Sequence, residues 1–424
     1  IMGSYYKGQS LNIRFDSVFA TLYNPNCASM FFAMMFCAVG IMAVFMPIKN
    51  KVKIPLIVLA VILLVALVGT NGAGGFIGTV AGVGISAIVA ICYYVFKVKS
   101  PKAIIACVIA IVIAIGAVVV FFNTDNKIVA KINIITEALK DGQSLGGSAS
   151  FYEDVNVDGE TATVITKDGN YTIDYAEAGT QLMHNGNVLT PVSIEPMESQ
   201  KDGKTYTFNE SGMTWKMMIY GNNATLVGVD PQGTETYFMF SEVDGKLSMV
   251  DRFGTPVDLN VPVESFGFNG VERLGSNRGY IYSRSIPLLK HNIILGAGAD
   301  NFVLEFPQQD IKSKLEFLGD PYVIIDKPHN MFLQMGINDG CIALLVMIAL
   351  FVLYVAQTIK RIFTDNNKYL QAVRYGLMAG CIAYMITGLT TDSVVSVAPV
   401  FWIMLGAGFG VNMIGNEKQE EKIK

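Results

Sequence analysis

The chain has 424 residues, of which 52% are hydrophobic and 16% charged, and its mean hydropathy is +0.43. Soluble domains carry roughly 25% charged residues; here the deficit sits in long apolar runs, so a bilayer is the expected solvent for much of the chain. The net charge of -4 offers nothing to nucleic acid. All six cysteines (Cys27, Cys37, Cys92, Cys107, Cys341, Cys381) lie in or beside apolar runs, which rules out a disulfide framework or a cysteine zinc site in the polar middle of the chain.

The chain opens Ile1-Met2-Gly3-Ser4, without the charged and apolar regions of a signal peptide; a fragment lacking upstream sequence is expected. Asn24-Pro25-Asn26 reads as a helix start with proline in its first turn. Seven apolar runs reach bilayer-spanning length, near 27–48, 53–70, 74–96, 102–122, 330–358, 371–390 and 394–414. The second and third are parted only by a glycine-rich break at 69–75, either a tight turn or a re-entrant kink. Short basic loops set the orientation. Lys49, Lys51 and Lys53, then Lys97, Lys99 and Lys102, then Lys360, Arg361, Lys368 and Arg374, and finally Lys418, Lys422 and Lys424 all fall on one side when seven spans alternate. With that side cytoplasmic, residues 1–26, the 123–329 segment and the turn at Thr391-Asp392 lie outside. The expected division is a transmembrane block at 1–122, an extracytoplasmic loop at 123–329, and a second transmembrane block with a short tail at 330–424.

Within the loop, Ile128, Ile132, Ile135 and Leu139 recur at helical spacing. From about 151 to 263 the pattern changes to short strands. Thr161–Thr166 and Tyr171–Tyr175 flank Asp168-Gly169-Asn170, a hairpin signal, and Asn185-Gly186, Asp202-Gly203, Gly221-Asn222 and Asp244-Gly245 mark further turns. This predicts a small antiparallel β-domain. Residues 264–329 are mixed, with helical stretches near Gly279–Leu289 and Asp300–Leu318. Gly296-x-Gly298 lacks a βαβ context and reads as a turn feeding a helix capped near Asp300.

The polar residues around the fifth run carry the chemistry. His329-Asn330 stands at the mouth of an apolar helix, with Gln334, Asn338 and Asp339 following on it; such groups are costly in lipid unless they face protein or water. Upstream lie Ser276-Asn277-Arg278-Gly279-Tyr280-Ile281-Tyr282-Ser283-Arg284 and Leu295-Gly296-Ala297-Gly298 with Phe302. Asp392, in the short outside turn, has two readings, a helix cap or a residue meeting the catalytic region, and the cap is the expected one. The order of these pieces (Arg-Gly near aromatics, Leu-Gly-x-Gly-x-x-x-Phe, then His-Asn-x-x-Leu-Gln with a later Gly entering a helix) resembles the O-antigen ligase and O-antigen polymerase family. Arg14-Phe15, Phe19 and Asn24-Pro25-Asn26 resemble that family's Arg…Phe…Asn-Pro-Asn stretch. The resemblance covers both transmembrane blocks and residues 271–340 and leaves out the β-domain. It departs at Thr70-Asn71-Gly72-Ala73-Gly74, where family members often carry Ser-Arg-Gly, and in helix number, which fits missing N-terminal helices.

The resemblance implies a mainly α, polytopic transmembrane bundle of GT-C-like type with an inserted extracytoplasmic antiparallel β-domain, resident in the cell membrane and working in surface polysaccharide assembly. The implied reaction moves a glycan from a polyprenyl-diphosphate carrier to an acceptor that is a lipid, a glycan or a protein. A diphosphate leaving group calls for cations, and arginine offers permanent, bidentate contacts. His329 and Arg278 are the candidate catalytic residues, Arg284 and Arg14 the candidate diphosphate ligands, and no metal or cofactor is expected, arginines taking the cation's part. His329 suits taking or orienting the acceptor's proton. Alternatives are a glycan polymerase of the same family, a membrane transporter built on the broken pair at 69–75, and a membrane-anchored sensor whose β-domain binds a ligand.

Overall fold

The structure is a computed structural model and describes residues 22, 24–101, 105, 151–176, 179–198, 200, 202–229 and 233–414. In chain order come α1 (Pro25–Phe45), α2 (Asn50–Thr70) and α3 (Ala73–Tyr93), the last continued by a π-helical turn at Tyr94–Val98. Eleven strands come next: β1 (Tyr152–Asp158), β2 (Thr161–Thr166), β3 (Gly169–Ala176), β4 (Gly179–His184), β5 (Asn187–Val188), β6 (Ser193–Pro196), β7 (Lys204–Glu210), β8 (Met213–Tyr220), β9 (Asn223–Val229), β10 (Glu235–Val243) and β11 (Lys246–Met249). The chain closes with α4 (Leu274–Ser285), α5 (Phe302–Glu305), α6 (Ile311–Leu318), α7 (Met331–Asn338), α8 (Cys341–Thr364), α9 (Lys368–Thr387) and α10 (Ala398–Met413). Two compact units result. One holds the apolar helices with Leu289–Asp300 and the chain from Lys327 onward; the other holds the strands up to Leu288 together with Asn301–Asp326. The expected spans at 102–122, the amphipathic stretch after Lys127 and the basic tail fall outside the described residues.

Among the described residues, four helices are long and apolar enough to cross a membrane: Pro25–Phe45, Asn50–Thr70, Ala73–Val98 and Cys341–Thr364. On α2 the exposed face itself is apolar, with Val52, Ile54, Val58, Val61, Ile62 and Val65 all more than half exposed. Such a helix is stable in lipid, not in water. The break at 69–75 is a tight turn, with Asn71 left-handed at the end of α2. The fifth run differs from expectation. It does not enter as one helix at 330 but is cut at Asp339-Gly340 into α7 and α8. Gly340 has φ 101° and its Cα packs against the Ile294 carbonyl, leaving no room for a side chain. The strip Asn292–Gly298 crosses here: Cys341 N–H donates to Asn292 O (3.1 Å), Ala297 N–H to Ile337 O (2.8 Å) and Gly298 N–H to Asn338 O (2.8 Å). This is why Leu289–Asp300 belongs with the helices and not with the loop to which the sequence assigns it.

Helix α9 is almost wholly buried and packs along α1 and α3. The helices approach through small residues, as membrane helices do. A Cβ on Gly376 would lie 2.6 Å from Ala38 O, and one on Gly78 would strike Thr387 and the Ala383 carbonyl. At one end of α9 a polar cluster replaces this apolar packing. Arg374, counted from the sequence as a loop cation, is 1% exposed. Its Nη1 donates to Asp365 (2.7 Å) and its Nη2 to Val411 O at the end of α10 (3.0 Å). Burial disfavours the charged Asp365, but the hydrogen bonds from Arg374 and Asn367 N–H, with the charges of Arg374 and Arg361, together outweigh it and hold this carboxyl below its ordinary range. Gln371 Nε2 joins in by donating to Tyr93 OH and to the Ile362 and Asp365 carbonyls.

The other unit holds two antiparallel meanders, ordered β1-β2-β3-β4-β5 and β11-β10-β9-β8-β7-β6. Every strand pairs with its sequence neighbour, as short polar turns require. Thr161 pairs with Asp174 and Thr166 with Gly169, so the β2–β3 hairpin turns at Lys167-Asp168, slightly before the expected Asp168-Gly169-Asn170. Asn185-Gly186 and Asp244-Gly245 turn as expected, all four residues at positive φ. The helical stretch expected at Asp300–Leu318 is broken: Pro307 separates α5 from α6, and Asp300 caps neither. The sheets are not a domain separate from residues 311–322. Trp215, Tyr171, Phe238 and Tyr152 share one core with Ile311, Leu315 and Tyr322, and Met239 N–H donates to Tyr322 OH (2.8 Å). The expected boundary near 263 is therefore not a packing boundary.

Two measurements check this packing. Gly78→Leu is expected to lower stability in detergent by about 1–3 kcal/mol or more, as overpacking does. Gly84→Leu, on the same helix with open space around it, is expected to leave thermal unfolding nearly unchanged. The second concerns Lys314, 2% exposed in α6, whose Nζ donates to the Gln308 carbonyl (2.7 Å) and side chain (3.1 Å). Burial lowers its pKa from 10.5 to about 8. Between those values the unfolded chain binds more protons, so the penalty of the buried charge is present in full below about 8 and is relieved as pH rises. Relative to Lys314→Met, the wild type is expected to gain roughly 2 kcal/mol of unfolding free energy between pH 7 and 9.5.

Candidate functional site

In the helical unit, α7 and the short connection between α9 and α10 build the site together. An eight-residue helix does not persist unaided, and the sequence supplies its supports. Asn330 is the N-cap, its Oδ1 accepting from Phe332 N–H (2.9 Å) and Leu333 N–H (3.1 Å). The same amide donates through Nδ2 to Leu389 O (3.0 Å), and Met331 N–H donates to Gly388 O (2.7 Å). One turn on, Gln334 Oε1 accepts from Ser393 N–H (2.9 Å). Asn330 and Gln334 are four residues apart and share one face, so both hold the 388–393 connection. Within the His-Asn-x-x-Leu-Gln pattern, the Asn and Gln act as a clamp.

His329 stands just before this helix at φ 52°. Its Nδ1 lies 3.0 Å from Asp392 Oδ2; the imidazole side chain is 42% exposed and the carboxylate 7%. Among the described residues, Asp392 Oδ1 is buried without a hydrogen-bond partner. The helix-cap expectation for Asp392 is overturned: α10 starts only at Ala398, with Val397 at its cap position, while the clamp turns the Asp392 carboxylate to the histidine. A carboxylate on Nδ1 fixes the tautomer with Nδ1–H, makes Nε2 the proton acceptor of the neutral ring, and stabilises the imidazolium once formed.

Met331, two residues after His329, and Ser393, the residue after Asp392, belong to the lining of a cleft of about 210 Å³, with Gln334, Asn338 and Asp339 at the end of α7, Asp300, Tyr384, Phe401 and Trp402. The Tyr384 hydroxyl and Ser393 Oγ are 3.1 Å apart, and Tyr384 stacks on Phe401 with ring centroids 4.1 Å apart.

The candidate arginines lie elsewhere. Arg14 falls outside the described residues. Arg278 and Arg284 belong to the β-containing unit, on α4. That helix opens with three left-handed residues, Gly275, Ser276 and Asn277, so regular helix starts at Arg278. Gly279 follows because its Cα packs against the Val271 and Glu272 carbonyls. Arg278 is half-buried and, among the described residues, makes no hydrogen bond or ion pair. Arg284 differs. Its Nε donates to Asp310 Oδ2 (3.0 Å), Nη1 to Ser283 (2.9 Å) and Nη2 to Ser313 (3.1 Å), and its guanidinium lies over the Tyr280 ring. Tyr280 OH also donates to Asp310 (3.2 Å), and burial, then the Asp310 charge, pushes the Tyr280 pKa up. With its fork engaged, Arg284 holds α4 to α6, a structural role in place of the expected phosphate contact. Sequence reading missed Asp310, an isolated carboxylate 26 residues from its partner.

Arg284→Ala would leave the Asp310 carboxylate buried and unpaired, and a loss of about 3–5 kcal/mol is expected from a buried pair broken this way. Thermal unfolding followed through Trp215 checks it, with Arg284→Lys expected to restore only part of the loss. No family model, no curated protein and no solved structure matches this chain.

Proposed function

We propose that this chain is an extracytoplasmic glycosyltransferase of the cell membrane, moving a glycan from a polyprenyl-diphosphate carrier to an acceptor hydroxyl or amine, as its sequence resemblance to O-antigen ligases implies. The observation that carries this reading is the His329–Asp392 pair at 3.0 Å. A half-exposed imidazole backed by a buried carboxylate is the arrangement that deprotonates a weak nucleophile. In the proposed step the acceptor oxygen or nitrogen attacks the anomeric carbon, and its proton passes to His329 Nε2. The bond from that carbon to the carrier's diphosphate breaks, and the diphosphate departs as an anion. The resemblance implies that Arg278 is needed for transfer as well. Loops with Lys49, Lys51 and Lys53 and with Lys97 and Lys99 would be cytoplasmic, which puts His329 and the β-containing unit outside. A glycan polymerase would use the same chemistry with the growing glycan as acceptor.

The test is donor turnover in reconstituted membranes with a labelled polyprenyl-diphosphate glycan. His329→Ala and Asp392→Asn are each expected to lower transfer by about 10²–10⁴-fold at normal protein abundance, the range for loss of a positioned general base; Arg278→Ala is expected to reduce it as well. Full transfer by His329→Ala would overturn the reading, and the product of the wild type tells ligase from polymerase.

A further inference from the structure

The cleft lined by Met331 and Ser393 has a one-sided polar character. Asp300 and Asp339 are exposed in it, and among the described residues neither carboxylate makes an ion pair or a side-chain hydrogen bond. Asn338 lines the same cleft, is only 6% exposed, and its Oδ1 is buried without a hydrogen-bond partner among the described residues. A buried amide oxygen left this way is costly. The other polar lining groups already have partners: Gln334 with Ser393 N–H, and Tyr384 with Ser393 Oγ. Among the described residues, no lysine or arginine lines the cleft. What remains is two negative charges and an orphaned acceptor, all of them calling for donors and positive charge.

Size and the remaining lining narrow the ligand. A volume of about 210 Å³ exceeds what one bare metal ion or a single water fills. The half-exposed Trp402, backed by the buried Phe401, supplies an aromatic surface, which suits the carbon skeleton of a small organic group and attracts a cation. We infer that this cleft binds a protonated primary amine carried on a small organic group, with Asp300, Asp339 and Asn338 Oδ1 as its acceptors. Two sources present that chemistry: an amino sugar and the ethanolamine headgroup of a lipid. On the transferase reading the amine-bearing group is the acceptor; the binding itself does not depend on that reading.

The test is calorimetric titration of the full chain in phosphatidylcholine nanodiscs with glucosamine and, as a neutral match, glucose. Glucosamine is expected to bind at least about tenfold more tightly, the discrimination that charge-assisted hydrogen bonds give. The Asp300→Asn/Asp339→Asn double variant, its fold checked by unchanged thermal unfolding, is expected to lose that preference. Quenching of Trp402 fluorescence, isolated by subtracting the Trp402→Phe signal, should follow the same isotherm. Adding phosphatidylethanolamine to the nanodiscs separates the sources: competition with glucosamine supports the inference with a lipid headgroup as ligand, and undisturbed binding supports it with an amino sugar. Equal affinity for glucose and glucosamine, an unaffected double variant, or calcium binding that glucosamine does not displace would each overturn it. Amine binding by a wild type that transfers no glycan would count against the transferase reading alone, and transfer without amine binding against this inference alone.

Discussion

The site depends on the clamp between the first turns of α7 and the connection after α9. Asn330 caps α7 with its amide oxygen and reaches Leu389 with its amide nitrogen, Met331 adds a backbone bond to Gly388, and Gln334 closes the far end on Ser393. An eight-residue helix has too few internal hydrogen bonds to be stable by itself. These contacts therefore fix both the helix and the connection. The chemically useful groups owe their positions to that fixation. Asp392 is buried facing His329, and the end of α7 brings Asn338 and Asp339 to the cleft.

The clamp is held in turn by packing that joins the two ends of the chain. Helix α9 lies against α1 and α3, which precede it by some three hundred residues. No hydrophobic effect drives apolar helices together inside lipid, so close approach has to come from small residues. Gly78 and Gly376 supply it. The Arg374–Asp365–Gln371 cluster then pins one end of α9. Arg374 is buried among these helices, and its engagement with Asp365 and the Val411 carbonyl makes it a strut.

In the β-containing unit the same distinction between availability and engagement separates two arginines six residues apart. Arg284 is ringed by Asp310, Ser283, Ser313 and Tyr280, while Arg278 keeps its fork clear of such partners among the described residues. Helix α6, which carries Ser313, is also part of the core beneath the sheets through Ile311 and Leu315. The β-strands thus support the segment bearing the Arg-Gly pattern.

The sequence alone determined the local elements. Apolar runs of bilayer length, the Asn-Pro helix start and the Asn-Gly and Asp-Gly turns each depend on a few adjacent residues, and α1, α2, α3 and the hairpin strands lie close to where those signals put them. His329, Asn330 and Gln334 were legible as a polar cluster at a helix mouth for the same reason. What pairs residues far apart in the chain was not legible. Asp392 reads as a helix cap until the clamp turns it toward a histidine 63 residues earlier. Arg374 reads as a loop cation until α10 closes over it, Arg284 as a phosphate ligand until Asp310 meets it, and Gly340 as helix interior until the Asn292–Gly298 strip crosses beside it. In each case the deciding partner is distant in sequence. Local propensity carries no information about such partners, so only the tertiary structure could decide which charges were engaged and which were left for chemistry.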